Sequence, residues 1–306
     1  MSSIESLRLD FNTQIHQLGK ISNDKISEDL IFVGSGDSYA AGLIAEFLTD
    51  HNSKCYSPSD LFHSRFINNK TYCFISVTGK TNANIKVAQR ASQAGMRTVA
   101  VTLNYDSPLA QVCKEVIPVK ITRKQTPTAG FSTFVANVVT SLQIAGVTVP
   151  PNFDVWYKNA VKLSQGLLSS FTLPKRSVYL LGNNLLYPIA LYASMQIAEF
   201  FGKTAIAHKL EEFCHSPIFG LDNSDCAWVL GQNEDHINEI LRTLNSSLSY
   251  VELYDNDVFA QLFTSIFFVQ NLILLLAEKY GYTELQYVMM KDVLKVSSDI
   301  IYDQSS

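Results

Sequence analysis

Three groups of residues in this sequence could do chemistry. Ser76-Val77-Thr78-Gly79-Lys80-Thr81 sets three hydroxyls around one glycine, directly after the apolar run Tyr72-Cys73-Phe74-Ile75. Gly34-Ser35-Gly36-Asp37-Ser38 follows a second apolar run, Leu30-Ile31-Phe32-Val33, and precedes a small-residue stretch from Ala40 to Leu48. Glycines let a backbone approach a ligand with no Cβ in the way, and the free N–H groups of a helix start suit an anion such as phosphate. A single hydroxyl would serve as a helix cap, and Ser76 or Thr81 can be read that way, but three exceed what a cap needs. The third group is dispersed: Glu199, His215 and Lys295. Each has a structural reading as well. Glu199 can pair with Lys203 at i+4, His215 beside Pro217 can make a local hydrogen bond, and Lys295 can be a solvated surface residue.

The elements that must position these groups alternate strand and helix. Strands are expected at 30–33, near Cys55, at 72–76, 96–103 and 115–121, with helices at 39–49, from Pro58, at 83–94, 109–113 and 128–144. That alternation implies a parallel sheet with both faces covered, and ligands of such sheets bind at the carboxyl ends of the strands. Val147 to Phe153, with Pro150-Pro151, reads as a linker, and a helix at 154–169 follows. Ser177-Val178-Tyr179-Leu180-Leu181-Gly182 then starts the pattern again. Gly34 stands five residues before Tyr39, and Gly182 five before Tyr187, which is consistent with two tandem copies of one fold. The second turn lacks the serines of the first. Further strands are expected at 228–230 and 249–253. Residues 1–28 read as an amphipathic helix (Ile4, Leu7, Leu9, Phe11, Ile15, Leu18) with a polar exit.

Composition narrows the class. The chain has 306 residues, 47% hydrophobic, with a formal net charge of −4, and no basic excess that would suggest nucleic acid. Cys55, Cys73, Cys113, Cys214 and Cys226 are odd in number and scattered without a CxxC pair, so neither a disulfide framework nor a zinc site is expected. The start of the chain has no apolar signal-like core, and a reducing cytoplasm is the expected compartment. Val258 to Ala277 runs uncharged for long enough to span a bilayer. It carries Gln261, Thr264, Ser265, Gln270 and Asn271, which a lipid-facing helix rarely holds together, so it reads as a buried helix and no membrane partner is expected.

The two turns resemble those of the sugar isomerase (SIS) domain, in which a Gly-Thr-Ser-Tyr-type loop and a Ser-x-Ser-Gly-x-Thr loop hold a sugar phosphate. Tyr187-Pro188-Ile189-Ala190-Leu191, running on to Glu199, and Glu212-Phe213-Cys214-His215-Ser216-Pro217 are similar to segments of the isomerase half of glucosamine-6-phosphate synthases. Lys291-Asp292-Val293-Leu294-Lys295-Val296 resembles that family's Arg-Asn-Leu-Ala-Lys-Ser tail. The resemblance implies an α/β chain of two doubly wound, flavodoxin-like SIS subdomains in tandem: an N-terminal helix (1–28), a phosphosugar-binding subdomain (29–150) and a second subdomain with the catalytic groups (151–306). It implies that Gly36, Asp37, Ser38, Ser76, Thr78, Gly79 and Thr81 bind the substrate and its phosphate. His215 would open the sugar ring, Glu199 would carry the proton between C1 and C2, and Lys295 would steady the enediolate oxygen or form an imine. These residue types suit those steps: an imidazole titrates near neutrality, burial raises a carboxyl's pKa, and an amine can be a cation or a nucleophile. The expected activity is an aldose–ketose isomerase acting on a hexose 6-phosphate. An amino-sugar-6-phosphate deaminase or a fructosamine-6-phosphate deglycase is the alternative enzyme, and a non-catalytic phosphosugar-binding regulator the alternative of another class. No cofactor or metal is expected. The partners are the sugar phosphate and a second copy in a homodimer, with the active site shared between subunits. Two departures stand out. Asp37 puts a carboxylate where a phosphate would be repelled, and Val77 and Lys80 replace a polar and an acidic residue of the synthase loop. A glutaminase segment is not expected, so ammonia from glutamine would not arise within the chain.

Overall fold

The computed structural model describes residues 1–22, 25–26, 29–122, 129–231 and 247–302. Two short runs of five fully buried residues, β1 (Leu30–Gly34) and β3 (Thr71–Ile75), form the centre of the first sheet. With apolar side chains on both faces they need cover on both, which is why they sit mid-sheet. Around them lie α3 (Asp37–Leu48), β2 (Lys54–Tyr56), α4 (Pro58–Leu61), α5 (Asn82–Gln93), β4 (Arg97–Thr102), α6 (Pro108–Val112), β5 (Glu115–Pro118) and α7 (Phe131–Ile144). The order is β2-β1-β3-β4-β5, every pairing parallel. The chain leaves β1 to one side for β2 and crosses to the other for β3, so the crevice between the carboxyl ends of β1 and β3 is the switch point where ligands of open α/β sheets bind.

The second sheet repeats this plan. After α8 (Phe153–Leu167) come β6 (Ser177–Leu181), α9 (Leu186–Phe201), β7 (Thr204–His208), α10 (Leu210–His215), β8 (Cys226–Gly231) and β9 (Ser247–Glu252), ordered β7-β6-β8-β9 and all parallel. The duplication extends to one atomic detail. A Cβ on Gly34 would lie 2.8 Å from the carbonyl oxygen of Ser38, and one on Gly182 would lie 2.6 Å from that of Leu186. In both copies glycine is required where the strand turns tightly into its helix. The doubly wound, two-sheet α/β fold expected from the sequence is present.

The two compact units are interleaved along the chain. One comprises residues 16–125, 130–149 and 290–306, the other 1–15, 126–129 and 150–289. The division at 149/150 lies beside the expected boundary at 150, while residues 1–15 go with the second sheet and residues 290–306 with the first. α1 (Ser3–Thr13) buries Ile4, Leu7 and Phe11 in the second-sheet unit, where Arg8 pairs with Glu278 at 2.7 Å, while Leu9, off that stripe, is 42% exposed. A second short helix, α2 (Ile15–Leu18), replaces the single long one. The tail forms a helix, α12 (Lys291–Tyr302), in the first-sheet unit, against α5. The expected start of α7 at Thr128 lies outside the described residues.

The uncharged stretch is the core helix α11 (Val258–Lys279), most of it buried and packed on α8 and α9. Its two buried amides are bonded inside the unit, while Ser265 Oγ is buried with no hydrogen-bond partner among the described residues. Gln270 accepts from Gln14 Nε2 (2.8 Å) and donates to Tyr192 OH (3.1 Å), and Asn271 accepts from Arg8 (2.6 Å) and donates to Ser164 Oγ (2.7 Å). Buried amides satisfied in this way fix the register of helices that apolar contacts alone would leave sliding.

Candidate active site

The two predicted loops leave adjacent strands at one level, since Gly34 and Ile75 are paired residues of β1 and β3. They differ electrostatically. After β3, Ser76 Oγ accepts from the Gly79 N–H (3.2 Å) and lies 3.2 Å from Thr81 Oγ1, while Thr78 Oγ1 accepts from the Lys80 N–H (3.3 Å). One proton of the Ser76–Thr81 pair is spent between the two hydroxyls; the other, with that of Thr78, remains as a donor, which favours an acceptor-rich ligand such as phosphate. Thr81 occupies the N-cap position of α5, yet its side chain makes no capping bond, so a simple cap does not account for these hydroxyls. The first turn of α5 carries no acidic residue and its dipole is uncompensated there. Gly79 is obligatory: its φ is +64°, and a Cβ would fall 2.1 Å from Ser107 Oγ. A cleft of about 400 Å³ opens beside this loop, lined by Val77, Thr78, Lys80, Leu103, Asn104 and Ile121, and Lys80 makes no ion pair among the described residues.

The loop after β1 is less suited to an anion. Its helix α3 also lacks a side-chain cap at Gly36, but its first turn holds Asp37. A Cβ on Gly130 would lie 2.6 Å from Asp37 Oδ2, so the Asp37 carboxylate lies against the start of α7. A carboxylate is favourable at a helix N-terminus, which gives the unexpected acidic residue a place. Ser38 is buried on the first turn of α3.

Glu199 and His215 belong to the second-sheet unit, and Lys295, exposed on α12, to the unit of the two loops. Glu199 lies in the last turn of α9, with no ion pair to Lys203 and no hydrogen bond among the described residues, and its Oε2 is sealed from solvent. Burial pushes its carboxyl up to about 7. His215 ends α10 with its side chain 73% exposed, 3.9 Å from Glu211.

Within one chain these two groups are kept apart. β6 points Val178 and Leu180 to one face and Tyr179 and Leu181 to the other. On the first face Trp228, paired with Leu180, meets Phe171 (5.1 Å between rings), which meets Phe268 of α11 (5.9 Å), and α11 packs on α9. On the second, Tyr179 meets Phe213 of α10 (5.4 Å), in a cluster with Leu181, Ala227 and Val229. The second sheet thus stands between the helix of Glu199 and the helix of His215. On the His215 side Phe219 is 85% exposed. Sequence reading had no means of finding this separation, because the 16-residue spacing carries no information about sheet faces. Among the described residues no cluster of His, Cys, Asp and Glu could hold a metal ion.

No protein-family model matches the sequence. The chain is 24% identical over 234 residues to the glutamine–fructose-6-phosphate aminotransferase (isomerizing) of Sulfolobus acidocaldarius, a match covering 72% of this chain and 39% of that protein. The chain thus spans about two fifths of the length of this curated relative. Among solved structures, the glucosamine-6-phosphate deaminase of Thermotoga maritima superposes with a TM-score of 0.71 at 16% identity, covering 90% of this chain and 95% of that one. The C-terminal domain of the glucosamine-fructose-6-phosphate aminotransferase of Francisella tularensis gives 0.67 at 15% (88% and 95%). The tagatose-6-phosphate ketose/aldose isomerase of Escherichia coli gives 0.63 at 16% (92% and 89%). The chain has the fold of the SIS phosphosugar isomerases.

Proposed function

We propose that this chain is a phosphosugar aldose–ketose isomerase acting on a hexose 6-phosphate through ring opening and an enediol. The observation that carries the reading is Glu199, a carboxyl with no hydrogen bond or ion pair among the described residues whose burial raises it to near neutrality, as a group that takes and returns a proton at C1 and C2 requires. The hydroxyls of Ser76, Thr78 and Thr81, with the open start of α5, hold the phosphate, and Gly79 lets the backbone close in. Gly36, Asp37 and Ser38 line the neighbouring side of the crevice, where Asp37 orders the α7 start rather than meeting the phosphate. Lys295 steadies the enediolate oxygen. His215 opens the ring, and because the second sheet separates it from Glu199 in its own chain, it serves the site of a second copy in a homodimer. The exposed Phe219 beside it is the kind of apolar contact such an interface would bury.

A deaminase acting on an amino-sugar 6-phosphate is the second reading, favoured by the likeness in fold to the Thermotoga maritima enzyme. Incubation with fructose 6-phosphate, glucose 6-phosphate, mannose 6-phosphate and glucosamine 6-phosphate, followed by NMR, separates the two. Carbonyl exchange between C1 and C2 without ammonia is the expected result. Ammonia from glucosamine 6-phosphate alone would assign the deaminase, and binding without turnover of any would assign a regulator. Glu199→Gln should lower kcat about a hundredfold or more while leaving ligand affinity intact, and unchanged turnover would remove Glu199 from the mechanism.

A further inference from the structure

Helix α9 carries two polar side chains inward one turn apart. Gln196 is 0% exposed, and neither its amide nitrogen nor its amide oxygen has a hydrogen-bond partner among the described residues. Three residues on, Glu199 Oε2 is sealed and unpartnered in the same way. Residues i and i+3 are neighbours on a helix surface, so the two groups share one side of α9. The buried polar side chains just before them on this helix are satisfied: Tyr192 OH accepts from Gln270, and Ser194 Oγ donates to the Leu191 carbonyl (2.8 Å). An interior amide without a partner is costly, and methionine or leucine would fill the same space with no polar atom to satisfy. Most of this helix is apolar, as Met195 and Ile197 on either side of Gln196 show, so the amide is not there for lack of apolar alternatives.

We infer that Gln196 is a substrate-holding residue that receives the C1 and C2 oxygens of an open-chain sugar phosphate beside Glu199. The inference rests on the isomerase reading. Isomerisation exchanges a carbonyl and a hydroxyl between adjacent carbons. A carboxamide places one donor and one acceptor side by side, the donor for the carbonyl oxygen and the acceptor for the hydroxyl; when the two exchange, the amide matches the reversed pattern by turning over about its last torsion, with no change of shape or charge. Being neutral, it does this without drawing the proton off Glu199 as a neighbouring ammonium would.

The test compares the full chain with Gln196→Met, reading the melting temperature alone, with inorganic phosphate, and with fructose 6-phosphate. With no ligand the variant should melt roughly 2–4 °C higher, because a buried unpaired amide is gone. Fructose 6-phosphate should stabilise it less, its affinity lowered on the order of tenfold by the lost hydrogen bonds, while the response to phosphate stays at the wild-type value. An unchanged response to fructose 6-phosphate overturns the inference and leaves the isomerase reading standing. Loss of both responses marks structural damage and also overturns it. If the wild-type chain answers to phosphate but not to fructose 6-phosphate, the isomerase reading itself fails and the inference falls with it. Gln196→Leu repeats the comparison should the methionine variant not fold.

Discussion

A carboxyl group that folding drives toward neutrality has a measurable signature. Glu199 rises from an ordinary 4.5 to about 7 because burial penalises its charge. The folded chain therefore holds a proton there that the unfolded chain has released, and the fold must lose stability as pH rises through that window, by up to ~3 kcal/mol, with the loss complete above about pH 7. Denaturant unfolding at pH 5 and pH 8 should show that slope, and Glu199→Gln should flatten it. An identical slope in the variant would mean that another group titrates. In the proposed mechanism Glu199 accepts a proton only once ionised, so kcat/KM should climb through an apparent pKa near 7. The residue was visible in the sequence, but its isolation was not, since a lysine at i+4 promised an ion pair that does not form. Gln196 was legible even less, because a polar letter on an apolar helix does not reveal whether it finds a partner.

At the scale of elements, the β3 loop can be separated from the carboxylate beside it. Ser76→Ala with Thr78→Val removes two hydroxyl donors at the start of α5, and KM for a sugar phosphate should rise about ten- to a hundredfold with kcat changed little. Isothermal titration would read the same loss as weaker binding, and unaltered affinity would place the phosphate elsewhere. Strands β1 and β3 were plain in the sequence as apolar runs ending in glycine turns. β7 was not, because Thr204-Ala205-Ile206-Ala207-His208 is an edge strand of small and half-exposed residues with no apolar run. The helical tail α12 was missed for a related reason: Val293, Val296 and Ile300 are all more than half exposed, so no buried stripe marks it as an element of the core.

At the scale of the whole molecule, tandem duplication was legible from Gly34 and Gly182, but the interleaving of the units was not. Sequence order does not show that α1 seats on α11 or that α12 seats on α5, since those contacts join residues hundreds of positions apart. The separation of Glu199 from His215 by the second sheet leads to a complementation test. Glu199→Gln and His215→Ala should each be inactive alone. Mixed and allowed to exchange subunits, they should recover about a quarter of wild-type activity, because in the proposed homodimer half the dimers would be mixed and each of those would hold one intact site. No recovery under conditions of proven exchange would return both residues to one chain.

On the proposed reading, that same sheet makes catalysis a collective property of the solution. If no chain can present both groups to one sugar, activity per chain cannot stay constant on dilution. It should fall in step with dissociation, and it should return on concentration with second-order kinetics.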